Sequence, residues 1–139
     1  MKISLFALLL SLAFPVSGFA SGYVCEDGAG VRVRLYHYNS PKKGTRNPAA
    51  FVYSTAAEGT LLVAKGKAIA RENTMDGVLY SVAGNEAVDA ESVALYVQYK
   101  EGGDEQAPKT NIPGKLSFLK GDETVSIEVS CLRFTKRHP

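Results

Sequence analysis

Two cysteines, Cys25 and Cys131, are the feature that most constrains this chain of 139 residues. They stand near the opposite ends of what remains once an N-terminal leader is set aside. The leader covers residues 1–20. Lys2 supplies its positive charge, Ile3 to Phe14 is an apolar run broken only by Ser4 and Ser11, and Gly18-Phe19-Ala20 puts small residues at both critical positions of a cleavage site. The run is shorter than the ~20 residues a bilayer span needs, so it reads as an export signal and not an anchor. A lipoprotein signal ending at Cys25 is the alternative, and the bulky Tyr23 beside that cysteine fits it poorly. In an oxidising compartment, two cysteines are a structural disulfide before they are a metal or redox pair. Such a bond would close almost the whole mature domain, residues 21–139, into one loop, which the chain-entropy picture values at ~4–5 kcal/mol.

The second constraint is alternation. Thr124 to Cys131 places Val125, Ile127, Val129 and Cys131 on one side, with Ser126, Glu128 and Ser130 between them. That period of two marks a strand with one face buried. Val31 to Tyr38 repeats it, with Val31, Val33, Leu35 and His37 facing one way and Arg32, Arg34, Tyr36 and Tyr38 the other. Further strands are expected at Tyr23–Cys25, Ala49–Ser54, Thr60–Ala64, Val78–Val82, Val93–Tyr99 and Lys115–Lys120, separated by turns rich in Gly, Asn and Asp. Gly66 interrupts the fourth strand, which continues to Arg71 through a bulge or bend; a short helix over Ala64–Glu72 is the rival. Leu132 and Phe134 fall out of phase with Cys131, which predicts a bulge there. Asn39–Pro48 and Glu101–Gly114 read as loops, and Lys136 to Pro139 as a frayed tail.

Eight short strands with almost no helix predict an all-β domain: a small antiparallel meander, closed or nearly closed into a barrel, with its first and last strands joined by the disulfide. A sandwich of the same strands is the alternative. A membrane barrel is disfavoured by short strands and the lack of aromatic girdles.

Little in the chain points to catalysis. The mature part holds 15 of the 16 Lys and Arg against 14 Asp and Glu, far from the basic excess of a nucleic-acid binder. His37 and His138 have no second histidine at metal spacing, no serine sits in a Gly-x-Ser-x-Gly elbow, and no glycine-rich phosphate loop is present. His37 reads as a hydrogen-bonded histidine at the end of a core face. Asp104-Glu105 and Asp122-Glu123 are neighbours in turns and read as solvated pairs. The expectation is a protein that is not an enzyme, uses no metal or cofactor, and is a monomer in the periplasm or outside the cell.

Binding is the remaining class. Arginine and tyrosine dominate interface hot spots, so the outward set Arg32, Arg34, Tyr36 and Tyr38 is a candidate partner surface, with Lys42, Lys43 and Arg46 adjoining. The plain alternative is a solvated strand whose long side chains cover apolar area.

The order of features has a counterpart. Tyr23-x-Cys25, Val31-Arg-Val-Arg-Leu35, Phe51-Val-Tyr53, Leu61-Leu-Val63 with Lys65-Gly66, Asp76-Gly77-Val-Leu-Tyr80 and a late cysteine resemble the periplasmic and membrane-bound inhibitors of chicken-type lysozyme. The resemblance implies an exported eight-stranded barrel with a terminal disulfide, which plugs a cell-wall hydrolase with a loop. The family's Ser-Gly-x-x-Tyr motif falls on Asp76, Gly77 and Tyr80, with aspartate in the serine position. A second family element, an aromatic strand ending in Lys-Gly, has two counterparts, Tyr99-Lys100 and Leu119-Lys120-Gly121. A carboxylate facing a hydrolase's own carboxylates is repelled unless one is protonated. The competing function is a small-ligand carrier, because eight-stranded barrels are either packed solid or hold one ligand. The medium and large inward residues Val31, Val33, Leu35, Leu95, Val97, Ile127 and Val129 favour a filled interior.

Overall fold

A computed structural model describes residues 19–38, 48–99 and 109–135 of the chain. Residues 1–18, which hold most of the expected leader, and Lys42, Lys43, Arg46, Lys100, Asp104-Glu105 and His138 lie outside the described residues. Nine strands form one sheet: β1 Phe19–Glu26, β2 Val31–Tyr38, β3 Pro48–Thr55, β4 Gly59–Lys65, β5 Ala70–Asn73, β6 Val78–Ala83, β7 Ser92–Val97, β8 Ile112–Lys120 and β9 Glu123–Thr135. Their order across the sheet is β4-β3-β2-β1-β9-β8-β7-β6-β5. A single curled sheet replaces the sandwich alternative. β1 begins at Phe19, so cleavage after Ala20 would leave Ser21 to Glu26 in the strand.

The chain's first and last strands meet in the middle of this order, and the disulfide joins them. Cys25 and Cys131 are paired directly across β1 and β9, bonded through their sulfurs, and separated by 106 positions in sequence. Both are buried. The pairing of β1 with β9 runs without a shift from Ser21 opposite Thr135 to Glu26 opposite Ser130. The bulge expected near Cys131 is therefore absent. Leu132 and Phe134 are out of phase because they sit on the outer face, while Arg133 takes the inner position.

Strand directions explain where the barrel is open. All eight pairings are antiparallel, including β1 with β9. Nine strands joined only by reversals would leave the first and last parallel, so one connection must preserve direction. It is the link from β4 to β5. A parallel partner needs a crossover of a dozen or more residues, but only Gly66 to Ile69 lie between these strands. β4 and β5 are thus two halves of one strand, the first paired with β3 and the second with β6. The expected eight strands become nine through this jog. The jog is a 3-10 turn over Gly66–Ala68, with Gly66 at φ 55° and the Ile69 N–H bonded to the Gly66 carbonyl. Ile69 drops into the core and holds the turn down. The helix considered for Ala64–Glu72 is reduced to these three residues. Across the gap, Asn85 in the β6–β7 connection donates its side-chain amide to the Leu61 carbonyl of β4 at 3.0 Å.

The concave side is packed with the chain's own side chains over most of its length; toward the β8–β9 turn it opens, where Val125, expected on the buried face of β9, is 59 % exposed because it lies beyond the reach of the other strands. Tyr23, Phe51, Tyr80, Leu35, Leu95 and Leu116 are all fully buried. Rings from distant strands meet there: Tyr53 of β3 against Phe118 of β8 at 5.3 Å, and Tyr23 of β1 against Tyr80 of β6 at 6.4 Å. Edge-on and tilted approaches of this kind add to what burial alone contributes.

Two outcomes test this account. Cys25→Ala with Cys131→Ala should cost about 2–5 kcal/mol of stability, read as a lower urea midpoint, with reductant reproducing the loss in the wild type. An unchanged midpoint would remove the bond from the stability of the fold. Gly22 is the second test, since an added Cβ there would meet the Leu35 carbonyl and the Phe134 ring, the latter at 2.6 Å. Gly22→Ala should destabilise by about 1–3 kcal/mol, and adding Phe134→Ala should not restore the wild-type midpoint because the Leu35 carbonyl remains in the way.

Candidate functional site

The β1–β2 turn sets the start of the candidate strand. Asp27 Oδ1 accepts hydrogen bonds from the Ala29 and Val31 N–H groups at 2.7 and 3.0 Å. These two bonds, the one from Ala29 first, hold its carboxyl below the usual carboxylate range. From there β2 sends Arg32, Arg34, Tyr36 and Tyr38 to the outer face, as their alternation predicts. The four residues differ in what they meet. Arg32 is half taken up by an exposed ion pair with Glu26 at 3.0 Å. Tyr36 meets Phe134 of β9 edge-on, with centroids 5.9 Å apart. That contact passes over Gly22, which lies opposite both residues and has no side chain to separate them. Tyr38 is 48 % exposed.

Arg34 has the most unusual surroundings. In register across the sheet stand Val63, Val52, Arg34, Val24 and Leu132, one from each of β4, β3, β2, β1 and β9. Val63 and Leu132 are 47 and 44 % exposed. Four aliphatic side chains therefore share a row with one guanidinium. The Arg34 Nε is out of solvent and makes no hydrogen bond, and among the described residues Arg34 has no ion-pair partner. At about 4.8 Å per strand the row is roughly 19 Å wide. The outer face of β8 and β9 beyond it is mostly polar: Ser117 and Ser126 share a hydrogen bond at 3.0 Å, Lys115 stands opposite Glu128, and Leu119 near the turn is the exposed apolar exception.

The positions that carry the family resemblance lie elsewhere. β1, β9 and β8 separate β2 from β7, against which the β5–β6 turn packs. In that turn the Thr74 N–H bonds to the Gly77 carbonyl. Asp76 Oδ1 accepts from the Tyr96 hydroxyl of β7 at 2.5 Å and from the Thr74 hydroxyl at 3.5 Å. Gly77 is wedged in place, since a Cβ there would meet the Val97 carbonyl and the Tyr96 ring. Tyr80 is fully buried, and its hydroxyl lies 2.8 Å from His37 Nε2. His37 Nδ1 in turn lies 3.2 Å from the Ser21 hydroxyl. His37 is thus a hydrogen-bonded core histidine, and Tyr80 belongs to the interior and not to a contact surface. Asp76 remains exposed in the turn but is already engaged, and Gly77 beneath it is buried.

The sequence alone did not single out Val24, Val52, Val63, Leu132 or Phe134. The signal was present for the last two: apolar residues on the parity opposite a buried cysteine, which also describes an apolar outer face. Among the described residues, no three of His, Cys, Asp or Glu come together to hold a metal ion. No helix of the described residues is long and apolar enough to cross a membrane. Comparisons with protein-family models, curated proteins and solved structures find no match to this chain.

Donation to Asp76 favours the neutral phenol of Tyr96 and raises its pKa above 10.0. The sign follows: a raised folded value contributes stability that is fully present below the ordinary tyrosine range and is lost as pH rises through the folded value. Asp76→Asn should therefore move one tyrosine's alkaline transition to lower pH, followed by phenolate absorbance. A titration identical to wild type would mean that the Asp76–Tyr96 bond does not hold in solution.

Proposed function

We propose that this protein is an exported binding module that works in the periplasm or outside the cell and captures another protein on its outer surface. The observation that carries the reading is the filled concave side, where Tyr23, Phe51, Tyr80 and the leucines around them occupy the space a carried ligand would need. The alternative of a small-ligand barrel lacks this support. Binding on the outside fits the Arg and Tyr content of β2, since both residues are over-represented among interface anchors. The disulfide fits an oxidising compartment. The Ser21–His37–Tyr80 chain is sealed inside the fold, which speaks for a structural role and against one as a nucleophile and base.

The partner class suggested by the resemblance is a cell-wall hydrolase such as chicken-type lysozyme. Inhibition through Asp76 and Gly77 alone would leave a carboxylate at the contact, so the outer face of β2 is the better-supported surface. Added in slight molar excess, the mature protein should slow lysis of a cell-wall suspension by chicken-type lysozyme, followed as turbidity. Lysis at the control rate across a hundredfold excess would rule out that enzyme as the partner and leave a binding module for a different protein.

A further inference from the structure

We infer that the outer face of β4, β3, β2, β1 and β9 is a docking surface for a partner protein that presents a carboxylate within an apolar patch, with Arg34 as the anchoring cation. This rests on the protein-binding reading above and adds the chemistry of the partner. The face is asymmetric in a way that solvation does not require. Val63, Leu132 and Tyr38 keep 44–48 % of their surface in water, and Tyr36 and Phe134 sit between them. The neighbouring outer face of β8 and β9 carries Ser117, Ser126, Lys115 and Glu128, with Leu119 as a single exposed apolar residue near its end. Contiguous exposed apolar area on a soluble protein marks an interaction surface.

The charge selects the occupant. Arg32 already has Glu26, but Arg34 has no counter-ion among the described residues and its Nε is cut off from water by its neighbours. A cation held in an apolar row gains most from a carboxylate that arrives with its own apolar surroundings, because the pair is then shielded from solvent. A second copy of the chain does not meet this need. Any two-fold axis centred on the row would bring the two Arg34 guanidinium groups together, which is repulsive. A phosphate backbone or an anionic membrane rewards several cations side by side; on this face Arg32 is paired with Glu26 and Lys65 stands on the edge strand β4, so Arg34 is the one cation within the apolar row.

The test places a benzoylphenylalanine photo-crosslinker at Leu132, or at Lys115 as a control, in the full chain expressed in the cell that exports it. Irradiation should give an adduct with another protein from position 132 and not from 115. Mass spectrometry should map the crosslink on that partner to apolar residues beside an aspartate or glutamate. With the partner purified, Arg34→Glu should weaken binding about tenfold or more, Arg34→Gln should weaken it less, and lysine in place of the partner's acid should restore binding to Arg34→Glu. Equal urea midpoints for the variants would exclude unfolding as the cause. An adduct with a second copy of this chain, no adduct from position 132, or Arg34→Glu binding within a factor of two of wild type would each overturn the inference. The lysozyme assay separates the two proposals. Inhibition that Arg34→Glu leaves intact keeps the hydrolase reading and sinks this one, and failure to inhibit leaves the crosslinking result to decide on its own.

Discussion

The pairing of β1 with β9, bonded through Cys25 and Cys131, is the contact on which the rest of this architecture depends. Without it the chain is two separate meanders: β1 to β4, and β5 to β9. Each would have one apolar face and two open edges. The pairing makes them one sheet and turns the free edges toward each other, so that side chains from β3 and β8, or β2 and β6, can meet inside. The disulfide acts where loop-closure entropy is largest, between the most distant strands in sequence. The same contact builds the candidate surface, because the row through Arg34 exists only when Val24 of β1 and Leu132 of β9 stand side by side.

Much of this fold could be read from residue order. Period-two alternation placed the strands, since a side chain's face is fixed by its parity and burial then follows. The terminal disulfide followed from the expectation of export and from there being only two cysteines. The jog at Gly66 was visible as an interruption, but its consequence was not. Whether the chain reverses at a glycine depends on tertiary partners, and the segment after it has four residues with weak alternation, Ala70 to Asn73. The apparent phase slip at Leu132 misled for a related reason. Alternation says which residues share a face but not which face is wet, and an apolar outer residue looks like a register error until its neighbours are known.

The candidate site was less legible than the fold. The outward set on β2 came from parity and stands where parity puts it. Its neighbours come from strands up to 98 positions away, and no local pattern announces that Leu132 lies two strands from Arg34. Tyr80 shows the opposite limit. A motif resemblance put it at a contact surface, whereas the parity of Val78, Tyr80 and Val82 puts it inside, where it holds His37. Periodicity proved the better guide because burial is decided by the strand as a whole.

The direction-preserving link between β4 and β5 means that a covalent tether, and not a ladder of hydrogen bonds, spans the break in the sheet. If the chain were rejoined from the end of β9 to the start of β1 and severed at Gly66, every strand would pair with its immediate successor. The longest-range contact in the molecule would become a simple hairpin, and the order of the chain would match the order of the sheet. Natural connectivity instead sets the two bonded cysteines 106 positions apart, so Cys25 has no native partner until residue 131 has been made, and until then its thiol answers to the redox state of its surroundings.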